Sequence, residues 1–485
     1  MTSPLSHHAQ GRPTAPAIVA PNRTWSYQAL DAAVHGTAGR LRAAGVASGD
    51  RVALVPSRSP DAIVLLWALW RVGAVAVPLS RRLPPPARRA QAERAGCDGA
   101  VLPEAEQEPF SSMAPVVSLE AVVSEGPTRA DDPPEQDPER DATIVFTSGS
   151  TGQPKAALHT WANHLYSAKG ANANLPLRSG DRWLLSLPLY HVGGLAILVR
   201  CALAGAAVAV PGSEKDLAPA LGDARATHVS CVSTQLRRMV TAGHAPPSSL
   251  RAVLLGGGPM PAPLLDRAYA DGWPLLTSYG CTEMASQITT TAPGAARSAL
   301  RTAGTRLPHR RVRIGPDGQI LVAGRPLFRG YVQDGTVTDP CTDDGWYPTG
   351  DRGVRDAQGR LQVVGRIDRM FVSGGENIQP EEIERALERL PQVVQAAVVP
   401  VSNPEYGHRP VAFLRSDGPL EDATLRESLR AHLPGFKIPD AFYPFPDDPG
   451  GSGLKVDRES LREWAQARVD DEREAGQDTP KTSSG

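Results

Sequence analysis

The chain has 485 residues, 41% of them hydrophobic and 21% charged, an ordinary composition for a soluble globular protein that excludes neither a large core nor several domains of about 100–200 residues each. Lys and Arg total 51 against 52 Asp and Glu, a formal net charge of −1, which argues against a protein built to coat nucleic acid. The cysteines, Cys97, Cys201, Cys231, Cys281 and Cys341, lie far apart with no C-x-x-C pair, which argues against a disulfide framework or zinc site and for reduced thiols in the cytoplasm.

Met1–Arg12 is polar and lacks the apolar core of a signal peptide, so none is expected. Trp25–Leu30 and on to Leu41 shows helical spacing, Val52–Val55 reads as a strand, Asp61–Trp70 as a buried helix and Gly73–Leu79 as a strand. The apolar run Ala62–Trp70 is halted by Arg71 and is far short of the roughly 20 residues a membrane span needs. Residues 103–140, rich in Pro, Glu and Asp, predict a surface loop or a poorly ordered connection. Strand and helix signals resume at Thr143 and continue to about Gly280. Short β runs broken by Gly315-Pro316-Asp317-Gly318 and Asp343-Asp344-Gly345 occupy 311–351. From Met370 a compact α/β unit follows, with a helix at Pro380–Leu390, opened by proline and acids, and a strand near Ala396–Val401. The polar stretch Asp470–Gly485 predicts a frayed tail. Together these give a layered α/β fold with a β-rich end, followed by a small α+β unit.

Two features carry chemistry. The apolar run Ala142–Phe146 leads into Thr147-Ser148-Gly149-Ser150-Thr151-Gly152-Gln153-Pro154-Lys155, whose small residues can offer N–H groups and hydroxyls to a polyphosphate, with Lys155 as a point charge. It is not a Walker A loop, because Gln153-Pro154 stands where Gly-Lys is required. The second feature is the scarcity of lysine. Lys155, Lys169, Lys215, Lys437, Lys455 and Lys481 are the only lysines, so positions that keep one are candidates for a compact ammonium.

Thr147–Lys155 resembles the T-S-G-S/T-T-G-x-P-K signature of the adenylate-forming superfamily of acyl-CoA ligases, luciferases and adenylation domains. Further segments resemble that superfamily in the same order: Leu187-Pro188-Leu189-Tyr190-His191, Gly256-Gly257-Gly258-Pro259, Ser278-Tyr279-Gly280-Cys281-Thr282-Glu283, Tyr347-Pro348-Thr349-Gly350-Asp351 and Gly365-Arg366-Ile367-Asp368. The resemblance implies a large AMP-binding domain over 1–367, a small mobile lid over 368–470 that turns about Asp368, and a tail over 471–485.

It further implies that Thr147, Ser148, Gly149, Ser150, Thr151, Gly152 and Lys155 meet the phosphates of ATP. Gly257, Gly258, Pro259, Ser278, Tyr279 and Gly280 would frame adenine, and Asp351 would accept the ribose hydroxyls. Arg366 would reach the nucleotide, with a structural ion pair as the competing reading. Glu283 and Thr151 would hold Mg²⁺, an ion that favours oxygen ligands. Lys455, in Gly453-Leu454-Lys455-Val456-Asp457-Arg458, keeps the family's lysine-to-arginine spacing but lacks the usual Gly before the lysine and the Asn upstream. It is assigned as the lysine that bridges the substrate carboxylate and the α-phosphate, with Lys437 as competitor.

Ser373-Gly374-Gly375-Glu376-Asn377-Ile378-Gln379-Pro380-Glu381-Glu382-Ile383-Glu384 is similar to a run in the 2-succinylbenzoate–CoA ligases of menaquinone biosynthesis. That resemblance implies ATP, coenzyme A and a dicarboxylic acid as small-molecule substrates. One carboxylate would be activated near His191 and Thr282, and the other recognised. Arg200, alone between Leu195–Val199 and Cys201–Ala204, is the candidate for the second, with a structural ion pair weighed beside it. Gly193 stands where these ligases usually have serine, so Thr282 and Ser286 are alternative polar contacts. Another aryl- or acyl-CoA ligase, a free-standing amino-acid adenylation enzyme and a catalytically silent scaffold are the competing functions. No nucleic-acid partner and no membrane span are expected, and the pattern leaves room for a homo-oligomer.

Overall fold

A computed structural model describes residues 3–123, 137–147, 154–212, 217–390, 392–446 and 457–477. Among these, two large sheets enclose the main core. In the first, Leu275–Cys281, Ala252–Leu255, His228–Cys231, Arg182–Leu184, Ala207–Ala209 and Pro16–Ala20 are parallel neighbours. Ser286–Thr290 and Thr305–Arg306 continue that sheet in antiparallel fashion beyond Leu275–Cys281. In the second sheet, Val116–Ser118, Gly99–Leu102, Arg51–Leu54, Val75–Pro78 and Asp141–Thr147 are parallel neighbours, and antiparallel Lys155–Thr160 and Gly330–Gln333 follow.

Helix Pro60–Val72 lies between the sheets. Ser59 Oγ caps its start by accepting from Ala62 N at 3.2 Å, and Gly73 ends it at φ 99°, a left-handed geometry that glycine adopts without strain. Every residue from Ala62 to Val72 is buried. One cluster joins Leu66 and Trp70 of this helix to Ile18 and Val208 of the first sheet and Leu54 and Val145 of the second. A helix apolar all round is what such a position requires, and each large side chain contributes about 1.5–3 kcal/mol by leaving water. Among the described residues no helix is long and apolar enough to cross a membrane.

Beyond the sheets, Arg310–Ile314, Gln319–Gly324, Tyr347–Arg355 and Leu361–Arg366 form the antiparallel β-rich end. The small C-terminal domain pairs Val393–Asn403 with Gly407–Ser416, and the latter with Ala441–Pro444. It has its own core of Ile378, Ile383, Leu387, Val398, Leu425 and Leu429 on one face of this sheet. Phe413, Leu461 and Ala465 pack on the other.

Three expectations need correction. The Pro- and acid-rich stretch is not all loop: Val116–Ser118 is an edge strand paired with Gly99–Leu102, and Phe110 is buried against the second sheet's core. Residues 124–136 of it lie outside the described residues. The polar end is not frayed from Asp470, because helix Arg458–Gln477 runs through it, anchored by buried Leu461 and Ala465 at i, i+4 spacing. The helix after Pro380 ends at Leu387, earlier than expected.

Just past that helix, the Glu388 carboxyl is pushed up to about 7 from 4.5 by burial and by the Glu384 carboxylate. The Ala396 N–H, Arg237 and Arg458 pull the other way. Between pH 4.5 and 7 the folded chain therefore holds a proton that the unfolded chain releases, and folding loses stability as pH rises through that window. Glu388→Gln keeps the shape and removes the charge. It is expected to gain about 1–3 kcal/mol at pH 8 and nothing near pH 4.5, measured as paired thermal melts. An equal gain at both pH values would place its cause in packing instead.

Candidate active site

The carboxyl ends of strands Ala252–Leu255 and Leu275–Cys281 in the first sheet bring the sequence-predicted adenine residues Gly256–Pro259 and Ser278–Gly280 together, as is usual for ligand crevices in open α/β sheets. The turn Gly256–Pro259 leaves strand Ala252–Leu255 beside Ser278, whose Oγ donates to Leu255 O at 2.8 Å. A Cβ on Gly256 would lie 2.9 Å from that Oγ, and Gly257 has φ 80°. Tyr279 Oη donates to Asp351 Oδ2 at 2.6 Å, a short charge-assisted bond that fixes the ring relative to the carboxylate. Asp351 Oδ1 also accepts from Arg366 Nη1 at 3.3 Å.

Arg366 forks onto Asp368, with Nε and Nη2 at 3.0 and 2.7 Å from its two carboxylate oxygens, and donates to Thr349 O at 2.8 Å. Gly350, at φ 73°, makes room for it, because a Cβ there would come within 2.8 Å of Arg366 Nη2. Arg366 is thus an ion-pairing residue that ties Asp351 to Asp368.

Thr147 and Lys155 are Cα partners across an antiparallel pair, so the two ends of the phosphate-type segment are held side by side. Ser148, Gly149, Ser150, Thr151 and Gly152 lie outside the described residues, as does Lys455. The Lys155 ammonium sits 5.2 Å over the ring of Tyr331. Tyr331 Oη in turn donates to Glu283 Oε1 at 2.6 Å. With that proton committed, the 2.8 Å contact between the Tyr331 and Tyr347 hydroxyls is donated by Tyr347. Burial and the Glu283 carboxylate push both phenols up, so they stay protonated donors.

Glu283 is buried, and among the described residues no cation lies within ion-pair distance of it. A buried carboxylate left without a cation suits Mg²⁺. Among the described residues no three acidic, His or Cys side chains cluster as a cage. One carboxylate completed by phosphate and water oxygens is the usual way Mg²⁺ is bound. Lys437, the competitor for the bridging lysine, is committed elsewhere: its Nζ donates to Glu382 Oε2 at 2.6 Å. Arg458, three residues after Lys455, forks onto Glu384 at 2.5 and 3.0 Å and donates to Val398 O, which anchors the chain just beyond that lysine.

The acyl-side candidates gather on helix Val192–Ala204 and the segment 282–287. His191 precedes the helix, with its ring 4.7 Å from that of Tyr190. A Cβ on Gly193 would meet only the Leu187 Cδ1 methyl, at 2.9 Å, whereas one on Gly194 would run into the Pro188 carbonyl. The missing serine at 193 is therefore not imposed by the backbone. His159 Nε2 bonds Thr282 O at 2.7 Å, and Ala285 and Ser286 adopt φ 48° and 122°, which turn the chain sharply into strand Ser286–Thr290.

Arg200 lies nine residues past His191, about 13 Å along the helix. It is 2% exposed. Its Nε donates to Asn172 Oδ1 at 3.1 Å, its Nη1 to Gln287 Oε1 at 2.9 Å, and its Cζ stacks 4.1 Å over Trp183. Among the described residues its buried Nη2 has no hydrogen-bond partner and the guanidinium has no acidic partner. The structural ion pair weighed for Arg200 is therefore not found among these residues. Tyr331, Gln287, Asn172 and Trp183 were not singled out in the sequence, because the partners named here lie 16 or more residues away.

The family model described as AMP-binding enzyme matches residues 5–332, and that of the AMP-binding enzyme C-terminal domain matches 382–449. The chain belongs to the AMP-binding enzyme family. Among its relatives in that family, a 2-succinylbenzoate–CoA ligase of Salmonella typhimurium is 37% identical over 95% of this chain and 97% of its own. One of Bacillus pumilus is 32% identical over 94% and 97%. A solved AMP-binding enzyme, o-succinylbenzoate CoA synthetase of Bacillus subtilis with its acyl-adenylate intermediate, superposes with a TM-score of 0.87 at 29% identity, covering 95% of this chain and 98% of that one. The same Bacillus subtilis enzyme with ATP and magnesium ion gives 0.86 at 29% identity, covering 95% and 99%.

Proposed function

We propose that this protein is an AMP-forming ligase that activates 2-succinylbenzoate with ATP and Mg²⁺ and transfers the acyl group to coenzyme A. A carboxylate is a poor acyl donor because its leaving group would be oxide. In the first half-reaction a substrate carboxylate oxygen bonds the α-phosphorus of ATP, the bond from that phosphorus to pyrophosphate breaks, and an acyl adenylate forms. In the second, the thiol sulfur of coenzyme A bonds the acyl carbon, AMP leaves and the thiol proton is released.

Tyr279 and the Gly256–Pro259 turn hold adenine, Asp351 accepts the ribose hydroxyls, and Thr147 through Lys155 bind phosphate oxygens. Mg²⁺, when bound, offsets phosphate charge, and Glu283 with Thr151 would hold it. Lys455 donates to the substrate carboxylate and the α-phosphate, where negative charge develops. His191, Thr282 and Ser286 border the reacting acyl group. Domain 1–367 carries these residues except Lys455, which domain 368–470 delivers by turning about Asp368.

The observation that carries the choice of acid is Arg200. Among the described residues this buried guanidinium has no carboxylate partner and one of its nitrogens has no hydrogen-bond partner, which suits it to receive a substrate's second carboxylate. Two features of the relatives support this reading: the names they carry and their match over nearly the whole chain. ATP–pyrophosphate exchange with 2-succinylbenzoate, benzoate, a medium-chain fatty acid and mixed amino acids tests it. Exchange dependent on 2-succinylbenzoate is expected. Exchange only with another acid would keep the chemistry, discard this substrate and turn attention to Gly193.

A further inference from the structure

Among the described residues all the side-chain contacts of the Arg200 guanidinium are uncharged. Asn172 and Gln287 offer amide oxygens and Trp183 offers a ring face. A second guanidinium, Arg310, is 1% exposed, and burial first, then the charge of Arg200, depress its protonation. It too is held by neutral groups: its Nε donates to Gln287 O at 2.6 Å, its Nη1 to Pro308 O at 2.8 Å, and its Nη2 to Ser167 O and Oγ at 2.9 and 3.1 Å. Gln287 therefore serves both arginines, one through its side chain and one through its backbone.

Its amide has a single consistent orientation. Thr290 Oγ1 donates its proton to Thr289 O at 2.7 Å and so can only accept from Gln287 Nε2, at 2.6 Å. That leaves Oε1 facing Arg200, a donor-only group. The amide aims the guanidinium without neutralising it.

We infer that Gln287 is a specificity-determining positioning residue, which orients Arg200 while reserving its charge for a carboxylate of the substrate. The inference rests on the proposed role of Arg200 in recognising the second carboxylate. A glutamate at 287 would have nearly the same shape but would pair with Arg200 internally, in a low-dielectric site where Arg310 helps keep it ionised. The substrate would then compete with a tethered anion.

The test compares thioester formation from 2-succinylbenzoate and from 4-oxo-4-phenylbutanoate, the same acid without its ring carboxylate. The full-length wild type, Gln287→Glu, Gln287→Met and Arg200→Met are the proteins used. Gln287→Glu is expected to raise the KM for 2-succinylbenzoate by about 10–100-fold, to leave the KM for ATP within about 3-fold, and to lower the diacid-to-monoacid ratio of kcat/KM by at least about 10-fold. Gln287→Met, which removes the acceptor without adding charge, should lower that ratio by a smaller factor, and it carries the test if the glutamate variant does not fold.

Loss of activity on both acids by the same factor in the Gln287 variants would mark a structural residue and overturn the inference. If Arg200→Met collapses the ratio but the Gln287 variants keep it, the inference alone falls. If Arg200→Met leaves the ratio intact, the role of Arg200 falls and the inference with it.

Discussion

Lys455→Ala is expected to slow adenylate formation by about 10²–10³-fold, the usual cost of removing one donor aimed at developing negative charge. Thioester formation from supplied acyl adenylate should change by no more than about 3-fold, because the phosphoryl transfer is then already complete. The two half-reactions separate experimentally, by single-turnover pyrophosphate release and by thioester formation from synthetic adenylate. Lys437, the C-terminal domain's one lysine among the described residues, cannot take over, since it is paired with Glu382. Arg458 is equally committed, to Glu384 and Val398. A guanidinium forked onto a buried carboxylate cannot follow the reaction. Equal losses in both half-reactions would remove Lys455 from its assigned role and point to a general requirement of the lid.

Arg200→Met should separate binding from stability. Burial pushes the Arg200 guanidinium down to about 9, far below its usual value but still above neutrality, so it enters the site charged. Truncating one member of a desolvated charge pair costs about 2–5 kcal/mol, and the KM for 2-succinylbenzoate is expected to rise by about 10²-fold or more. Stability should move much less. The variant loses two hydrogen bonds from a charged donor, at about 1.5–3 kcal/mol each, and offsets that by relieving a buried cation that has no acid beside it among the described residues. Thermal melts without substrate check this. Substrate-dependent stabilisation should shrink in the variant, because a ligand stabilises only through its affinity for the folded state. An unchanged KM would send the second carboxylate elsewhere.

Several elements were readable locally. The helix Pro60–Val72 has its cap, its proline and its terminal glycine within the same short stretch, and no distant residue is needed to place it. Tyr279, Glu283 and Asp351 lie in contiguous strand-and-turn motifs, so residue type and spacing were enough to single them out as candidates. Other elements were not readable because their reasons lie far off in the chain. Val116–Ser118 is a strand only because Gly99–Leu102 has an open edge, and a composition of proline and acid hides it. Helix Arg458–Gln477 shows so few apolar positions that Leu461 and Ala465 become a pattern only against the sheet they cover.

The same division runs through the site. Candidate phosphate, metal and hinge residues could be named from sequence because each role needs a particular functional group on a particular turn. The ion pair weighed for Arg366 is what the fold forms, but its two partners were not named in sequence, since one aspartate lies two residues away and the other fifteen. The Tyr331 hydroxyl on Glu283, the Gln287 amide on Arg200 and the absence of any acid beside Arg200 among the described residues belong to folding alone. Residue types and local spacing carry the identity of reactive groups. Which group is neutralised, which is held open and which is already engaged depends on desolvation and on partners brought together from distant parts of the chain.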